Sequence, residues 1–493
     1  MHTLADLYHR VSNGQWKGRI GLSSQTDQME CAELGKRVDA VRESLAADVR
    51  HGDIALVKVS ASISSVADLL GLWSLGAVVV PLKSAMDERA VSGIAQDCNA
   101  RFIVESGDIS TLESYIEPRQ RFVTCRTQRV SGSDQALIIY TSGSTGTPKG
   151  IMLSHNNVMT ALRSIADYLQ IDTRERILNI SPLSFDYGLY QVLFALYCDC
   201  SVVLYDENVN PITLVKAIER HEITLLPALP VIAIMLEKGA ALSRKTLSSL
   251  RKLTNTGGHL SESTIDALCR RFPELQIFAM YGLTESKRAL YLPPEDLHRK
   301  KGSVGIPMPG LEAKVFLRTH ADAGQDVYEE APAGEVGTLF VRGPSVMQGY
   351  TRNDSGAGAQ IHSGAYRDDN WLDTGDLFLQ DEEGYFYFKG RQKELIKQGG
   401  FCLYATDIEE AVIAHPAIEF ASVVGTNDRT GAEIACLFIK PHIDHPATQK
   451  EILAWIKTNL DADYCPRMIR FIENVSLSVN GKIDKKQLLA DHL

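Results

Sequence analysis

Two rhythms of apolar and polar positions alternate along this chain. Residues 33–47 carry apolar side chains at helical spacing, and 53–59 (D-I-A-L-V-K-V) follow as a buried strand. Residues 64–75 predict another helix and 76–82 (G-A-V-V-V-P-L) another strand. An apolar strand at 136–139 precedes a Gly/Ser-rich segment, and residues 158–169 predict the helix beyond it. The rhythm continues with strand 202–205, helix 212–220, strand 223–226 and helix 230–238. Strands then begin at Lys252 and span 276–279. Strands separated by helices predict a layered α/β architecture with parallel pairing. From 311 to 346 the pattern changes to short β runs, 313–317 and 337–343, which predict a small β subdomain. Beyond it, helices at 406–414 and 450–460 and strands at 420–424 and 434–439 predict a compact α+β unit. The charged, loop-like run at 391–394 suits a boundary. We therefore expect a large domain over 1–391 and a small one over 392–493, with Lys393 at the hinge.

Composition narrows the class. At 493 residues the chain exceeds what one core supports. Its 44% apolar and 23% charged residues are ordinary for a soluble globular protein. A net charge of −10 and a pI near 5.8 exclude the basic footprint of a nucleic-acid binder. No apolar run approaches the ~20 residues of a membrane span. The first residues lack the basic start and apolar run of a signal peptide. Nine cysteines, with no C-x-x-C pair and only Cys198 and Cys200 close together, point to buried thiols in a reducing cytoplasm.

Candidate chemistry begins at 140–150, Y-T-S-G-S-T-G-T-P-K-G. Glycines let this segment curl after its strand, and hydroxyls with freed backbone N–H groups make a concave anion cradle. Lys149 adds a point charge for a phosphate. Thr147-Pro148-Lys149-Gly150 after Gly146 is not the Lys-Ser/Thr ending of a Walker A loop. Over its whole length the segment resembles the phosphate loop of the adenylate-forming (ANL) superfamily: acyl-CoA synthetases, stand-alone peptide-synthetase adenylation domains and luciferases. That family implies an α/β fold, a large N-terminal domain of layered α/β and a small β subdomain, and a small mobile α+β C-terminal lid.

Further motifs follow in the family's order. In 183–193, Asp186 reads either as a helix N-cap or, as the resemblance implies, as the carboxylate that meets a substrate's ammonium group, with Tyr187 and Tyr190 lining the pocket. Gly257 and Gly258 form a turn that lets a flat ring approach the backbone; the family sets adenine there, and Gly257 also borders the substrate. In M-Y-G-L-T-E (280–285), Tyr281 can stack on adenine, Gly282 gives clearance, Thr284 can bond a phosphate oxygen and Glu285 can hold Mg2+. Ala279 stands where amino-acid-activating relatives often carry Asn. In T-G-D, Asp376 can accept from both ribose hydroxyls, and Arg391 adds a fixed cationic fork. Asn480-Gly481 predicts a turn that presents Lys482 at a loop tip. The resemblance makes Lys482 the catalytic lysine, although Ser476-Leu477-Ser478 replaces the usual L-P-x-T upstream. Residues 399–401 resemble the segment bordering a pantetheine arm. His155 is expected as a cap or loop residue, and Arg288 either lines the pocket or forms a surface ion pair.

The resemblance implies an enzyme, an AMP-forming acid–thiol ligase using ATP and Mg2+. Thr141, Ser142, Gly143, Ser144, Thr145, Gly146 and Lys149 would hold the phosphates, and Lys482, Thr284 and Glu285 would serve catalysis. No carrier domain follows Lys482, so the thiol is expected from a phosphopantetheinylated carrier protein or from CoA. The Phe-Asp setting of Asp186, and the runs S-F-D-Y-G-L-Y-Q and T-E-S-K-R, favour an amino or imino acid loaded onto a carrier, as in prolyl-type ligases. The alternative is a fatty or aryl acyl-CoA ligase. A luciferase-type oxygenase and a non-catalytic nucleotide-binding scaffold stand behind both.

Overall fold

The computed structural model describes residues 1–112, 129–141, 148–320, 326–351, 360–363, 370–399, 401–442, 447–460, 465–475 and 483–492. Among them, two large sheets carry the N-terminal part. One runs, edge to edge, Ile306–Pro307, Leu290–Tyr291, Gln276–Tyr281, Lys252–Asn255, Leu225–Ala228, Arg176–Asn179, Ser201–Leu204, Arg19–Leu22 and Gln28–Glu30. Its interior neighbours pair parallel and its edges antiparallel. The other is built on Ile54–Val59 and Val78–Lys83, paired parallel, with Phe102–Glu105 and Gln135–Thr141 on either side. Strands buried on both faces read as near-continuous apolar runs, and Val78, Val79, Val80 and Leu82 are all buried.

The expectation of parallel pairing fails at the glycine-rich segment. Gln135–Thr141 and Lys149–Ser154 are antiparallel neighbours, with Thr141 opposite Lys149. A connection this short can only reverse the chain, because a parallel return needs a crossover. The two flanking strands therefore form an antiparallel pair, and Lys149 opens the second of them.

Helix Asp186–Cys198 is buried at every residue from Asp186 to Leu196, the mark of a helix enclosed on all sides. The helix after these strands starts earlier than expected, at His155, because Ser154 and Asn157 form a reciprocal capping box. His155 is buried, and its Nδ1 accepts the Leu4 N–H at 3.1 Å. That bond docks an unforeseen N-terminal helix, Leu4–Ser12. Arg10 holds the same helix through the Leu196 and Tyr197 carbonyls, both at 3.0 Å.

Strands Glu312–His320, Asp326–Glu330, Gly337–Arg342, Gln360–Ser363, Asn370–Gln380 and Phe386–Arg391 form an antiparallel sheet. Beyond it, Ile396, Leu403, Ile408, Val412, Leu437 and Ile456 belong to a separate core. That unit holds strands Ile418–Asn427, Glu433–Pro441 and Met468–Phe471 with helices Ala405–Ile413, Gln449–Asn459 and Lys485–His492. The architecture is the expected one: a large N-terminal domain and a small α+β C-terminal domain. Polar contacts join the two parts. Lys389 pairs with Asp407 at 2.9 Å, the Lys389 carbonyl accepts from Thr406 Oγ1 at 2.8 Å, and Lys238 pairs with Glu419 at 3.2 Å.

Candidate active site

Three motifs separated in sequence meet at one end of the N-terminal sheets. The Gly257–Gly258 turn and the 280–285 motif leave adjacent parallel strands at the same end, with Asn255 opposite Ala279. Ligands of open α/β sheets bind outside such carboxyl ends. Gly257 has a φ of +79°, a left-handed angle that glycine adopts without strain.

Tyr281 ends its strand with the phenol donating to Asp376 Oδ2 at 2.6 Å. Its ring lies edge-on to Phe378 at 4.8 Å and is stacked with Phe388 at 6.3 Å. Asp376 faces Arg391 across an antiparallel register, with Arg391 Nε 3.5 Å from Oδ1. Thr374 Oγ1 accepts the Asp376 N–H at 3.2 Å and donates to the Leu339 carbonyl at 2.8 Å. Asp376 is thus a buried, oriented acceptor with a guanidinium beside it. Burial first, then the Asp376 charge, pushes the Tyr281 phenol well above its ordinary value, so it stays a donor.

The clearance at Gly282 is used by the chain itself. A Cβ there would lie 2.4 Å from the Lys287 carbonyl oxygen and 2.9 Å from Arg288 Cα. Lys287 in turn has a φ of +67°, so the backbone folds back tightly after the motif.

Glu285 accepts from the Tyr350 hydroxyl at 2.8 Å, and its carbonyl accepts the Met347 N–H at 2.7 Å. Tyr350 sits on Gly349–Tyr350, paired with Lys149–Ser154. The Lys149 ammonium lies 5.3 Å from the centre of the Tyr350 ring. Tyr140 donates to Asp97 Oδ2 at 2.5 Å, and Thr351 Oγ1 donates to the same oxygen at 2.5 Å. The Thr351 N–H also donates to the Gly150 carbonyl at 2.9 Å. Both strands that flank the glycine-rich segment are therefore fastened to one carboxylate, the second through Thr351. Thr141 and Lys149 are placed at the ends of these strands; Ser142, Gly143, Ser144, Thr145 and Gly146 lie outside the described residues.

Burial raises the Glu285 pKa, against the Tyr350 hydrogen bond. No group of three or more His, Cys, Asp or Glu side chains that could hold a metal occurs among the described residues. A single carboxylate such as Glu285 is still compatible with Mg2+, which binds through one or two carboxylates together with the phosphates of its substrate. Thr284 is half-buried one position before it.

The region expected to meet the acid departs from expectation. Asp186 is the first residue of its helix; Phe185 is the cap, and no side chain caps it. Asp186 Oδ2 lies 3.1 Å from Lys287 Nζ, with both side chains buried. This is an ion pair without aligned hydrogen-bond geometry. The Lys287 ammonium is 4.1 Å from the Tyr190 ring centre and 5.8 Å from that of Tyr187. Arg288 is buried, not a surface residue, and its guanidinium lies 4.7 Å over Tyr187. Tyr187 is oriented by its hydroxyl, 2.9 Å from the Thr254 carbonyl and 2.8 Å from Thr254 Oγ1. Burial lowers the Lys287 pKa to about 7, with Asp186 opposing the shift.

The carboxylate expected for a substrate ammonium thus has a cation of its own. A second cation brought within 4 Å of Lys287 or Arg288 would be repelled by about 4 kcal/mol at an effective dielectric of 20. Lys287 was missed by sequence reasoning. The adjacent cations of T-E-S-K-R were the available signal, but nothing in their spacing ties them to Asp186.

Lys393 is exposed in a 3-10 turn, Gln392–Glu394, and Glu394 pairs with Lys485 at 2.9 Å. Lys482 and Gly400 lie outside the described residues. Phe401 is exposed.

The comparisons accord with this geometry. A profile of AMP-binding enzymes matches residues 10–351, and one for the AMP-binding enzyme C-terminal domain matches 407–482. The chain is an AMP-forming ligase. It belongs to the AMP-binding enzyme family, within the adenylate-forming superfamily. It is 28% identical to 4-coumarate–CoA ligase-like 4 of Oryza sativa subsp. japonica, over 93% of this chain and 87% of that protein. It is 29% identical to the mitochondrial medium-chain acyl-CoA ligase of Mus musculus, over 78% of this chain and 61% of that one. The fold matches ATP-bound MatB from Rhodopseudomonas palustris with a TM-score of 0.82 at 23% identity, covering 99% and 98% of the two chains. No helix among the described residues is long and apolar enough to cross a membrane.

Proposed function

We propose that this chain activates a carboxylic acid with ATP and passes the acyl group to the thiol of CoA. In the first step a carboxylate oxygen attacks the α-phosphorus, the bond to pyrophosphate breaks, and an acyl-adenylate forms. In the second a thiol sulfur attacks the acyl carbon, the bond to AMP breaks, and the thiol proton leaves to solvent. Catalysis of phosphoryl transfer rests on positioning and preorganised charge. Lys149 and the segment from Thr141 to Gly146 would hold the phosphates, and Glu285 would hold Mg2+, whose charge offsets that on the phosphate oxygens. Thr284 would bond a phosphate oxygen. Asp376 would accept the ribose hydroxyls, with Arg391 beside it. Tyr281, Gly257 and Gly258 would border adenine. Lys482 would bridge the carboxylate and the α-phosphate. The domain boundary would fall after residue 391, with Lys393 as pivot. Asp186, Tyr187 and Tyr190 would wall the acid pocket.

The observation that carries this reading is the convergence of Tyr281 on Asp376 at 2.6 Å and of Glu285 on Tyr350 beside Lys149. The relatives named as CoA ligases support CoA as acceptor more than a carrier protein. The Asp186–Lys287 pair weighs against an amino acid. The test is ATP–pyrophosphate exchange over a panel of fatty, aryl, dicarboxylic and amino acids. Active acids are then assayed for thioester with CoA and with a phosphopantetheinylated carrier. Acid-dependent exchange followed by acyl-CoA is expected; no exchange with any acid overturns the reading.

A further inference from the structure

The cluster behind the 280–285 motif has a charge imbalance that the reaction above does not use. Among the described residues one carboxylate, Asp186, pairs with Lys287, the neighbouring Arg288 lies over Tyr187, and all three are at least nine-tenths buried. Arg288 Nη1 donates to the Lys287 carbonyl at 3.0 Å, while its Nε is buried without an aligned partner among the described residues. Lys287 Nζ is also buried without an aligned hydrogen-bond partner. The surrounding walls are aromatic: Tyr187 and Tyr190 carry the cations, and Tyr168 stacks on Tyr291 at 4.0 Å. Fixed donors and an extra positive charge among buried aromatic rings are matched by an anion with several acceptor atoms.

We propose that Arg288, with Lys287, holds a second carboxylate of the substrate, so that the acid this enzyme activates is a dicarboxylic acid. One carboxyl goes to the α-phosphorus, and the other stays ionised against the guanidinium. Asp186 then serves as the positioning residue that fixes Lys287 at the Tyr190 face. The inference rests on the acid-activating function proposed above and specifies its substrate class.

The full-length enzyme is assayed by pyrophosphate exchange and acyl-CoA formation with short aliphatic and aryl dicarboxylic acids. Each is paired with its half methyl ester, which removes one charge with little change of shape. A site built for a charged group rejects the analogue lacking it strongly, so the best diacid should exceed its half ester by about 100-fold or more in kcat/KM. Arg288→Met should bring that ratio to within about threefold of unity, mainly through KM of the diacid, and Arg288→Lys should restore part of it. An unchanged melting temperature separates this from misfolding. For Lys287, whose loss alone strands a buried carboxylate, the double variant Asp186→Asn/Lys287→Met is used.

Half esters or simple monoacids turned over as well as the diacids would overturn the proposal. So would an amino acid preferred over every diacid, or Arg288→Met lowering diacid and half ester equally. In each of those cases acid-dependent exchange persists, so the wider reading stands. Exchange with no acid at all fails both.

Discussion

Asp68 lies fully buried on helix Ile63–Ser74, with neither carboxylate oxygen in an aligned hydrogen bond. Burial raises its pKa from 3.8 to about 6, against the facing N–H groups of Gly107 and Ser106. A carboxyl raised on folding binds its proton more tightly in the native state, so stability falls as pH rises from about 4 through 6. Asp68→Asn should therefore raise stability at pH 8 by about 1–3 kcal/mol, with the gain vanishing near pH 3.5. Denaturant titrations at the two pH values decide it, and equal effects would show that ionisation is not the cause. At the opposite extreme, Lys482→Ala should slow adenylation by several orders of magnitude. Nucleotide affinity should change less than about tenfold, as read by pyrophosphate exchange and ATP titration. Equal losses in both would make this lysine a binding residue only.

At the scale of elements, Asp97 ties strand Gln135–Thr141 to Thr351 through two short hydrogen bonds on one oxygen. Asp97→Asn leaves shape intact but weakens both charge-assisted bonds, each worth about 1.5–3 kcal/mol when buried. KM for ATP should rise roughly tenfold or more with kcat less affected, and an unaltered KM would detach this clamp from nucleotide binding. Elements with strong caps and long apolar rhythms were legible in the sequence. Thus 212–220 appears as Pro211–Arg220, opened by Asn210 and a helix-starting proline. Helix Glu88–Cys98 was missed, although Asp87 caps it, because its apolar face holds few large residues. The 140–150 segment, the tyrosine–glycine motif and Asp376 stand out in the sequence because their distinctive residues are local to it; the structure brings Tyr281 and Asp376 together, while 142–147 lie outside the described residues. The Lys287–Asp186 pair could not be, since only the fold brings residues so far apart in the chain together. The use of Gly282 was hidden for the same reason: the atoms it makes room for belong to a turn whose shape comes from tertiary structure.

For the molecule as a whole, polar contacts join the large and small domains: the Lys389–Asp407 and Lys238–Glu419 pairs and the hydrogen bond from Thr406 to the Lys389 carbonyl. Small, polar interfaces allow relative motion by default. If Lys393 is the pivot, Lys393→Pro should be tolerated by the 3-10 turn, whose φ proline already satisfies, yet resist a change of backbone angle. Pyrophosphate exchange should survive within about fivefold, while acyl-CoA formation should fall by about 100-fold or more. If both half-reactions survive unaltered, the pivot lies elsewhere.

The imidazole that receives the Leu4 amide has a consequence for where this protein endures. Burial depresses the pKa of His155 to about 4, with Asp134 opposing. The ring therefore fastens the amino-terminal helix only while neutral. Between pH 6.5 and 4 an unfolded chain takes up this proton and the native one refuses it, so as much as about 3 kcal/mol of stability drains away on acidification. An enzyme fastened this way would come undone from its first residues in a souring vesicle or an acid elution step. Amide exchange at Leu4 followed down the pH scale would register that loosening before the rest of the fold gives way.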